Sequence, residues 1–320
     1  MDIAGRIEKH GSKCCDMRIL LTGTTGQVGS ALLAILRDKH EVIAPSRSTF
    51  DFTAPQSLGY ALDKFAPDLI INPAAYTAVD RAEEEPELAF KINRDAPRFI
   101  AYWAAARNVP LIHFSTDYVF NGKGDQPSRE NSPTYPLSVY GRSKLAGEDA
   151  IREAAGPHLI VRTSWVYAAR GSNFLRTIAR LAREREELRI VADQVGAPTS
   201  ARVIANVVEQ LTAMEPSDLC RGFTKAEGVT NIVTAGETSW HGFAASIVEG
   251  LRSRNVALAV KLILPLRTED YPTKAKRPLN SRLDLTRMQE VFGITPPTWQ
   301  EALEPELDEL ASEMQTTDIR

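Results

Sequence analysis

Tyr140 and Lys144 stand four residues apart in the segment Tyr-Gly-Arg-Ser-Lys. In a helix, this spacing places both side chains on one face. A free phenol has a pKa of about 10 and exchanges protons poorly at neutral pH, but an adjacent cation stabilises the phenolate and lowers that pKa. The pair therefore predicts acid–base chemistry, whereas the same spacing on an exposed helix with no other support would be only a solvated edge.

A glycine-rich turn gives the first support. Residues 23–29 read Gly-Thr-Thr-Gly-Gln-Val-Gly, after the apolar run 19–21 and before a helical stretch that begins at Ser30. Glycines let a ligand approach the backbone, and a helix start offers free N–H groups at the positive end of its dipole. The turn predicts a dinucleotide pyrophosphate site, with an ordinary tight strand-to-helix turn as the alternative. Its predicted cofactor contacts are Gly23, Thr25, Gly26, Gln27, Val28 and Gly29.

Two more segments follow strand-like runs. Residues 115–120 read Ser-Thr-Asp-Tyr-Val-Phe and residues 72–76 read Asn-Pro-Ala-Ala-Tyr. Ligands of an open α/β sheet bind beyond the carboxyl ends of its strands, so the Thr116 hydroxyl is placed to donate to a substrate carbonyl oxygen or, alternatively, to cap a turn. In the other segment, small residues allow a cofactor to pass close to the backbone, or serve tight packing. The contacts predicted there are Ala74, Ala75 and Tyr76.

The elements that must position these groups alternate along the chain. Strand-like runs lie at 18–22, 41–44, 68–72, 111–115, 159–163 and 188–191. Helical patterns lie near 27–38, 56–65, 86–107, 139–155 and 173–187. This alternation predicts right-handed βαβ units and an α/β fold with a Rossmann-like, doubly wound parallel sheet.

The second half of the chain has a weaker pattern, which predicts a smaller C-terminal lobe. Helices are expected over 200–212, 239–251 and 298–313, and short strands over 229–233 and 262–264. We predict an N-terminal extension over 1–16, a dinucleotide-binding domain over 17–165, and a lobe over 166–320 with segments returning to the first domain. The stretch 116–138, punctuated by Gly and Pro, predicts a long functional loop.

Composition argues against several classes of protein. The chain has 320 residues, of which 43% are hydrophobic and 25% charged, as in globular proteins. A net charge of −3 gives no general attraction to nucleic acid or to an anionic membrane. The three cysteines, two of them adjacent at Cys14-Cys15, form neither a disulfide framework nor a metal-ligand spacing. No apolar run approaches the ~20 residues that span a bilayer. We therefore expect a cytoplasmic protein with no nucleic-acid or membrane partner.

Longer segments of the chain resemble a known family. The Tyr–Lys pair and the glycine turn resemble the extended short-chain dehydrogenase/reductase superfamily. More specific are Arg-Thr-Ser-Trp-Val-Tyr at 162–167, Asp-Gln-Val-Gly-Ala-Pro-Thr at 193–199, and Arg277-Pro278 with Asn-Ser-Arg-Leu at 280–283. These segments resemble the dTDP-4-dehydrorhamnose reductase family, and the resemblance runs from about residue 17 to the C-terminal region.

The resemblance implies reduction of the C4 ketone of a 6-deoxyhexulose carried on dTDP, the last step of dTDP-L-rhamnose biosynthesis. It implies that Tyr140 donates a proton, that Lys144 lowers the pKa of the phenol and holds the nicotinamide ribose, and that Thr116 bonds the reacting oxygen. It also implies that the lobe over 166–320 binds mainly substrate. The implied substrate contacts are Thr116, Asp117, Trp165, Asn173, Arg277 and Asn280.

Arg47 bears on the choice of cofactor. It follows the second strand, and no acid comes between that strand and Asp51. An acid there would bind the ribose 2′-hydroxyl of NAD, whereas an arginine accommodates a 2′-phosphate. NADPH is therefore the expected cofactor, with use of NADH left open. The resemblance implies that Asp51 and Phe52 flank the adenine.

Ala31 departs from the pattern of some relatives. They hold a divalent metal at a dimer contact through a glutamate two residues beyond the last glycine of the turn, where this chain has Ala31. We therefore expect no metal site, and any homodimer would form without a metal bridge. Two alternative functions stay open: another nucleotide-deoxysugar reductase or epimerase, and a non-catalytic NADP-binding subunit that regulates a partner enzyme. Thr116, Tyr140 and Lys144 together favour catalysis over regulation.

Overall fold

The computed structural model describes residues 17–318. The expected extension over 1–16 lies outside the described residues. The strands are β1 (Arg18–Leu21), β2 (Glu41–Ile43), β3 (Leu69–Asn72), β4 (Leu111–Thr116), β5 (His158–Thr163), β6 (Val166–Tyr167), β7 (Glu187–Val191), β8 (Val195–Gly196), β9 (Thr199–Ser200), β10 (Val229–Asn231), β11 (Thr238–Ser239) and β12 (Leu262–Leu266). The α-helices are α1 (Gln27–Leu36), α2 (Leu58–Phe65), α3 (Val79–Ala82), α4 (Pro86–Phe90), α5 (Ala96–Ala106), α6 (Val139–Glu153), α7 (Phe174–Glu184), α8 (Ala201–Thr212), α9 (Pro216–Lys225), α10 (Trp240–Ser253), α11 (Thr286–Phe292) and α12 (Trp299–Asp318).

Six strands form one parallel sheet in the order β10-β5-β4-β3-β1-β2. From β1 the chain moves to β2 on one side and then returns to β3 on the other, so the direction of crossing reverses between β1 and β3. Such a switch point leaves a crevice at the carboxyl ends of the strands, where ligands of doubly wound folds bind. The predicted Rossmann-like parallel sheet is confirmed.

One predicted strand has a different partner from the one its position suggested. The run 188–191 forms most of β7, which pairs in parallel with β12 rather than joining the main sheet. The sixth place in that sheet belongs to β10, which pairs with β5. Every residue of β10 is buried, as a strand covered on both faces requires, whereas β7 is partly exposed.

The main sheet divides its side chains between two cores, because successive residues of a strand point to opposite faces. Ile19 and Leu21 of β1 join the cluster packed against α1 and α8, while Leu20 joins the cluster packed against α2, α5 and α6. A third cluster, made chiefly by α7, α10 and α12, forms a separate core around Phe243 and Leu307.

The predicted helix 86–107 is divided in the structure. Helices α4 and α5 are joined by a wider, π-helical turn at Lys91–Asp95. Within this turn the buried Asn93 accepts a hydrogen bond from the backbone N–H of Tyr76 (2.8 Å) and donates to the Tyr76 carbonyl and to the Ser143 hydroxyl. The turn therefore fixes the loop after β3 against α6, and such turns are frequent at functional sites.

Candidate active site

The glycine turn after β1 has no room for a side chain at Gly23 or Gly29. Gly23 has φ +59°, and a Cβ there would lie 2.9 Å from the Cα of Ala74. A Cβ on Gly29 would lie 2.1 Å from the carbonyl oxygen of Gly23. Gly26 precedes α1 and makes no side-chain cap, so the first N–H groups of the helix are open to a phosphate. The turn therefore fits a dinucleotide pyrophosphate.

A cavity of about 590 Å³ lies at the carboxyl edge of the sheet. It brings together Gly23, Thr25, Gly26, Gln27, Val28, Gly29, Arg47, Ala74, Ala75, Thr116, Asp117, Tyr140, Lys144, Trp165 and Asn173. An adjoining cavity of about 680 Å³ shares Gly23, Thr25, Arg47, Ala74 and Ala75 and adds Asp51, Phe52 and Tyr76. Two predicted contacts, Arg277 and Asn280, line neither cavity. The two cavities adjoin along the glycine turn and the loop after β3.

Tyr140 lies in the first turn of α6, and the helix starts where it does because the Ser138 hydroxyl accepts the N–H of Gly141 (3.1 Å). The phenol ring contacts Tyr118 edge-on, with 5.5 Å between ring centroids. Burial raises the pKa of Tyr140 to about 12, although the Thr116 hydroxyl beside it acts in the opposite direction. Tyr140 therefore holds its proton at neutral pH, as a proton donor must.

Lys144 follows one turn later and is 1% exposed. Its ammonium donates to the Phe114 carbonyl (Nζ–O 2.5 Å) and lies 3.2 Å from Nε2 of His113. Burial lowers the pKa of Lys144 to about 8, while the charge of Glu148 acts to raise it. The expected lowering of the Tyr140 pKa is not found in this state, because the ammonium is bonded to β4 and desolvation of the phenol dominates.

Asp117 is a buried carboxyl on the cavity wall. Its Oδ1 accepts the Thr116 hydroxyl (3.1 Å), whereas its Oδ2 is buried and has no hydrogen-bond partner. Burial raises the pKa of Asp117 to about 6, and the nearby hydroxyls of Ser281 and Thr116 oppose that shift. A carboxyl oxygen without a hydrogen-bond partner, on a residue that lines the cavity, is suited to a ligand hydroxyl.

A buried ion pair supports α6 from behind the site. The Arg162 guanidinium donates to both oxygens of Glu148 (3.0 and 2.7 Å), and the Ser115 hydroxyl donates to the same carboxylate (2.5 Å). Arg162 also donates to the Glu130 carbonyl in the loop between β4 and α6 (2.9 Å). These bonds fix α6 to β4, to β5 and to the long loop that sequence analysis interpreted as functional.

Trp165 and Trp240 form an aromatic stack on the far side of the cavity. Their rings lie 3.7 Å apart and 13° from parallel, and Trp165 has φ +48°, an unusual backbone for a large residue. The indole N–H of Trp240 donates to Gln194 (3.1 Å). Sequence analysis missed Trp240, as well as the buried hydroxyls of Thr163 and Ser164 that line the same cavity. The residue before Trp240, Ser239, caps α10 by accepting the N–H of Gly242, and such a local cap gives no information about the cavity.

Asn173 joins the two halves of the site. Its side chain caps α7 by accepting the N–H of Arg176 (3.1 Å), and its amide N–H donates to Gln27 of the glycine turn (2.8 Å). It donates as well to two neighbouring carbonyls, those of Ala168 and Arg170. In this structure, therefore, the Asn173 side chain holds the loop before α7 against the start of α1.

The other two residues predicted to bind the nucleotide lie farther out. Arg277 makes a two-point contact with Asp80 (2.6 and 3.2 Å), and its hydrogen bonds lower the pKa of that carboxyl. Asn280 donates to the carbonyls of Gly124 and Gln126 and accepts from Arg282. The Asn280 side chain thus orders the loop after β4, whereas Arg277 ties its own segment to α3.

Arg47 borders both cavities and is exposed. Asp51 accepts hydrogen bonds from the N–H and hydroxyl of Thr53 (both 2.8 Å), which lower the pKa of Asp51, with a further contribution from the charge of Arg47. The Asp51 carboxylate is thus occupied locally, and Arg47 is left as a cation at the end of β2.

Residues 17–318 form neither a metal centre nor a membrane-spanning helix. Within that range, no group of three or more His, Cys, Asp or Glu side chains is arranged to hold a metal ion. Ala31 packs, partly buried, against the core between α1 and α8. None of the helices described combines the length and apolar character needed to cross a bilayer.

Comparison with known proteins identifies the family. The family model described as RmlD substrate binding domain matches residues 17–312. A dTDP-4-dehydrorhamnose reductase of Burkholderia thailandensis is 45% identical over 292 residues, 90% of this chain and 97% of that protein. The Escherichia coli K12 reductase is 43% identical over 300 residues, 92% of this chain and 98% of that protein.

Solved structures agree with the sequence relatives. A Clostridium acetobutylicum dTDP-4-dehydrorhamnose reductase has a TM-score of 0.83 at 35% identity, covering 91% of this chain and 99% of that one. A Bacillus anthracis dTDP-4-dehydrorhamnose reductase in complex with NADP has a TM-score of 0.82 at 32% identity, covering 92% of this chain and 100% of that one. This chain belongs to the dTDP-4-dehydrorhamnose reductase family.

Proposed function

We propose that the chain reduces the C4 ketone of dTDP-4-dehydrorhamnose to give dTDP-L-rhamnose, with Tyr140 as the proton donor. As a member of its family it is an NAD(P)H-dependent oxidoreductase of dTDP-L-rhamnose biosynthesis. The observation that carries the assignment of residues is that Tyr140, Lys144 and Thr116 line one cavity with the glycine turn.

NADPH, when bound, supplies the hydride. Tyr140, which is partly buried and kept protonated by desolvation of its phenol, gives its proton to the alkoxide oxygen that develops at C4. Thr116 donates a hydrogen bond to the same oxygen. Lys144 holds the ribose hydroxyls and stabilises the phenolate that Tyr140 becomes, so its charge is needed after proton transfer more than before it.

For the substrate, we assign the sugar to the wall made by Asp117 and Trp165. The unpaired Oδ2 of Asp117 accepts a sugar hydroxyl, and the Trp165 ring covers an apolar face of the pyranose. Asn173, Arg277 and Asn280 are assigned to the diphosphate and deoxythymidine. Arg277 uses three of its five N–H donors on Asp80 and the Ala275 carbonyl, which leaves two for a phosphate.

For the cofactor, we assign the pyrophosphate to residues 23–29, the adenosine to the neighbourhood of Asp51 and Phe52, and the 2′-phosphate to Arg47. The support is that Arg47 borders both cavities. We also propose that any homodimer forms without a bridging metal, because Ala31 offers no ligand. The low cysteine content suits work in a reducing cytoplasm.

The test is oxidation of NADPH, followed by its near-ultraviolet absorbance, with dTDP-4-dehydro-6-deoxy-L-lyxo-hexose as substrate. We expect absorbance to fall only when enzyme, cofactor and substrate are all present, and dTDP-L-rhamnose to form in equal amount. Tyr140→Phe is the matched control. A wild-type protein that binds NADPH tightly yet oxidises none would favour the regulatory-subunit alternative. Turnover only with another nucleotide-deoxysugar would favour a different reductase or epimerase.

A further inference from the structure

A chain of buried polar groups runs from Lys144 into the sheet. The Lys144 ammonium lies 3.2 Å from Nε2 of His113 on β4, and Nδ1 of His113 lies 3.0 Å from the side-chain nitrogen of Asn72 on β3. The Asn72 amide is bonded in turn to the Thr22 hydroxyl, 2.6 Å away at the end of β1. His113 and Asn72 are fully buried, so these groups have only one another as partners at those atoms.

The protons in this chain can be placed in two ways. Burial and the charge of Lys144 keep the pKa of His113 well below its usual value, so its ring is neutral, with one donor and one acceptor nitrogen. If Lys144 is charged, Nε2 must accept, and the Nδ1–H must donate to an Asn72 oxygen. If Lys144 is neutral, the Nε2–H donates to it and Nδ1 accepts from the Asn72 NH₂. An amide fits either way, because turning it by 180° exchanges its donor and acceptor.

Other charged groups near Lys144 do not make these contacts. Those on or against α6 are Tyr140 and Glu148 of the same helix, Asp117 beyond β4, Arg162 of β5, Glu83 before α4, and Arg94 with Asp95 in the π-helical turn. Glu148 is neutralised by Arg162, Glu83 accepts the N–H of Val139, and Arg94 and Asp95 pair with each other. His113 is thus the side chain that meets the ammonium directly.

We propose that His113 is a positioning residue for the reduction, since its Nε2 accepts a hydrogen bond from Lys144 and holds that ammonium, charged, beside Tyr140. This arrangement has the Asn72 amide turned by 180°, so that its oxygen accepts the Nδ1–H of His113 and its NH₂ donates to the Thr22 hydroxyl. The inference rests on the proposed role of Lys144 in the site. His113 itself contacts neither cofactor nor substrate and acts through Lys144.

The first experiment compares His113→Leu with His113→Gln in the full-length protein. Leucine has a similar volume and no acceptor, so the charged form of Lys144 loses a hydrogen bond and its pKa falls. We expect the alkaline limb of the kcat against pH profile to move down by about one to two pH units, and the Kd for NADPH to rise. In His113→Gln the amide oxygen can take the place of Nε2, so the limb should return towards wild type.

A purely structural role would lower the melting temperature of both variants and leave the limb in place. An unmoved limb in folded His113→Leu overturns the proposal. If the variants do not fold, the proposal is tested on the wild-type protein by NMR. The ¹⁵N chemical shifts of its imidazole rings report the tautomer of each histidine. The His113 ring is recognised because it does not titrate between pH 5 and 8 and responds to NADPH, and near pH 6.5 it should show the Nδ1–H tautomer.

An Nε2–H tautomer at that pH would also overturn the proposal, because it places a donor against the ammonium. The tautomer can be read even if wild type shows no turnover. Failure of the proposed function and failure of this inference are therefore separate outcomes.

Discussion

Two buried cations lie on or against α6, Lys144 of the helix itself and Arg162 of β5, and they differ in their partners rather than in their burial. Lys144 is 1% exposed and Arg162, which packs against the next turn, is 2% exposed. Lys144 contacts only neutral acceptors, the Phe114 carbonyl and the His113 ring. Arg162 makes a two-point contact with the carboxylate of Glu148.

The electrostatic consequences of these partners are opposite. Burial lowers the pKa of Lys144 to about 8, towards the working range of an enzyme. Burial also acts to raise the pKa of Glu148, but the hydrogen bonds and charge of Arg162 lower it overall, which fixes the pair as ionised. A buried cation without a carboxylate is available to a ligand, whereas one with a carboxylate fixes the fold. Tyr140 and Lys144 form a catalytic layer, and Arg162 and Glu148 form a structural layer behind it. The two layers can therefore be tested separately.

The largest effect is expected at the catalytic layer. Tyr140→Phe keeps the ring and removes only the ionisable hydroxyl, so turnover should fall by about 10²–10⁴-fold. The melting temperature and the Kd for NADPH should stay near wild type. Lys144→Met is the companion variant and should weaken NADPH binding along with the rate. If Tyr140→Phe kept wild-type turnover, with a deuterated-NADPH isotope effect showing that reduction limits the rate, Tyr140 would not be the proton donor.

Variants of the structural layer should lower the stability of the protein, which variants of Tyr140 should leave unchanged. Arg162→Met leaves Glu148 buried without its main partner and should lower the free energy of unfolding by about 3–5 kcal/mol, measured by urea denaturation. The double variant Arg162→Met with Glu148→Leu removes both charges and should recover a large part of that loss. Equal destabilisation by the single and the double variant would show that the packing of these side chains matters more than the ion pair.

Asp117 is a third buried charge and, like Lys144, faces the cavity without a counter-ion. Its pKa is raised to about 6 in the folded protein, so the folded state binds a proton more tightly than the unfolded chain. Its contribution should therefore be most favourable at low pH and be lost as pH rises from about 4 to 6, by up to about 3 kcal/mol. Asp117→Asn should be more stable than wild type at pH 8 but not at pH 4. A stability difference that does not vary with pH would contradict this.

Arg47 is an exposed cation, and its effect should be smaller and confined to the cofactor. Arg47→Glu should reduce kcat/KM for NADPH roughly 10- to 100-fold, as loss of a charged hydrogen bond does, with little change for NADH. Arg47→Gln removes the positive charge without adding a negative one. Its kcat/KM for NADPH should therefore lie between those of wild type and Arg47→Glu. An unchanged ratio of kcat/KM for the two cofactors would mean that the 2′-phosphate is read elsewhere.

No effect is expected from metal removal. Because Ala31 offers no carboxylate, EDTA should change neither the turnover nor the mass measured on a sizing column with light scattering. A chelator-dependent change in mass would show that other residues bind a metal between subunits. Activity restored by added Mg²⁺ after chelation would have the same meaning.

The parallel sheet was predictable from sequence because its strands carry continuous apolar runs and its turns carry glycine. The later helices α8, α10 and α12 lie where helices were predicted over 200–212, 239–251 and 298–313. Helices α9 and α11 were missed. The partner of β7 was also missed, because pairing depends on tertiary burial that a short apolar run does not specify.

Within the site, local motifs predicted the groups that follow strands, such as Thr116 and Asp117. Trp240 could not be found in this way, because it reaches the cavity through a stack on Trp165, a residue 75 positions earlier in the sequence. The Lys144 contact with His113 was missed for a similar reason. Pairing across neighbouring strands and helices carries no spacing signal along the chain.

The separate cluster formed by α7, α10 and α12 has a consequence for folding cooperativity. This third core packs separately from the two cores that flank the sheet, although Arg202 of α8 pairs with Glu306 and Glu309 of α12, so we expect hydrogen exchange to include openings of one unit before the other. Asn173 and Gln27 connect the two units across the cavity by one hydrogen bond. A ligand that touches both walls adds its binding free energy to that connection, and the occupied protein then unfolds as a more nearly single unit.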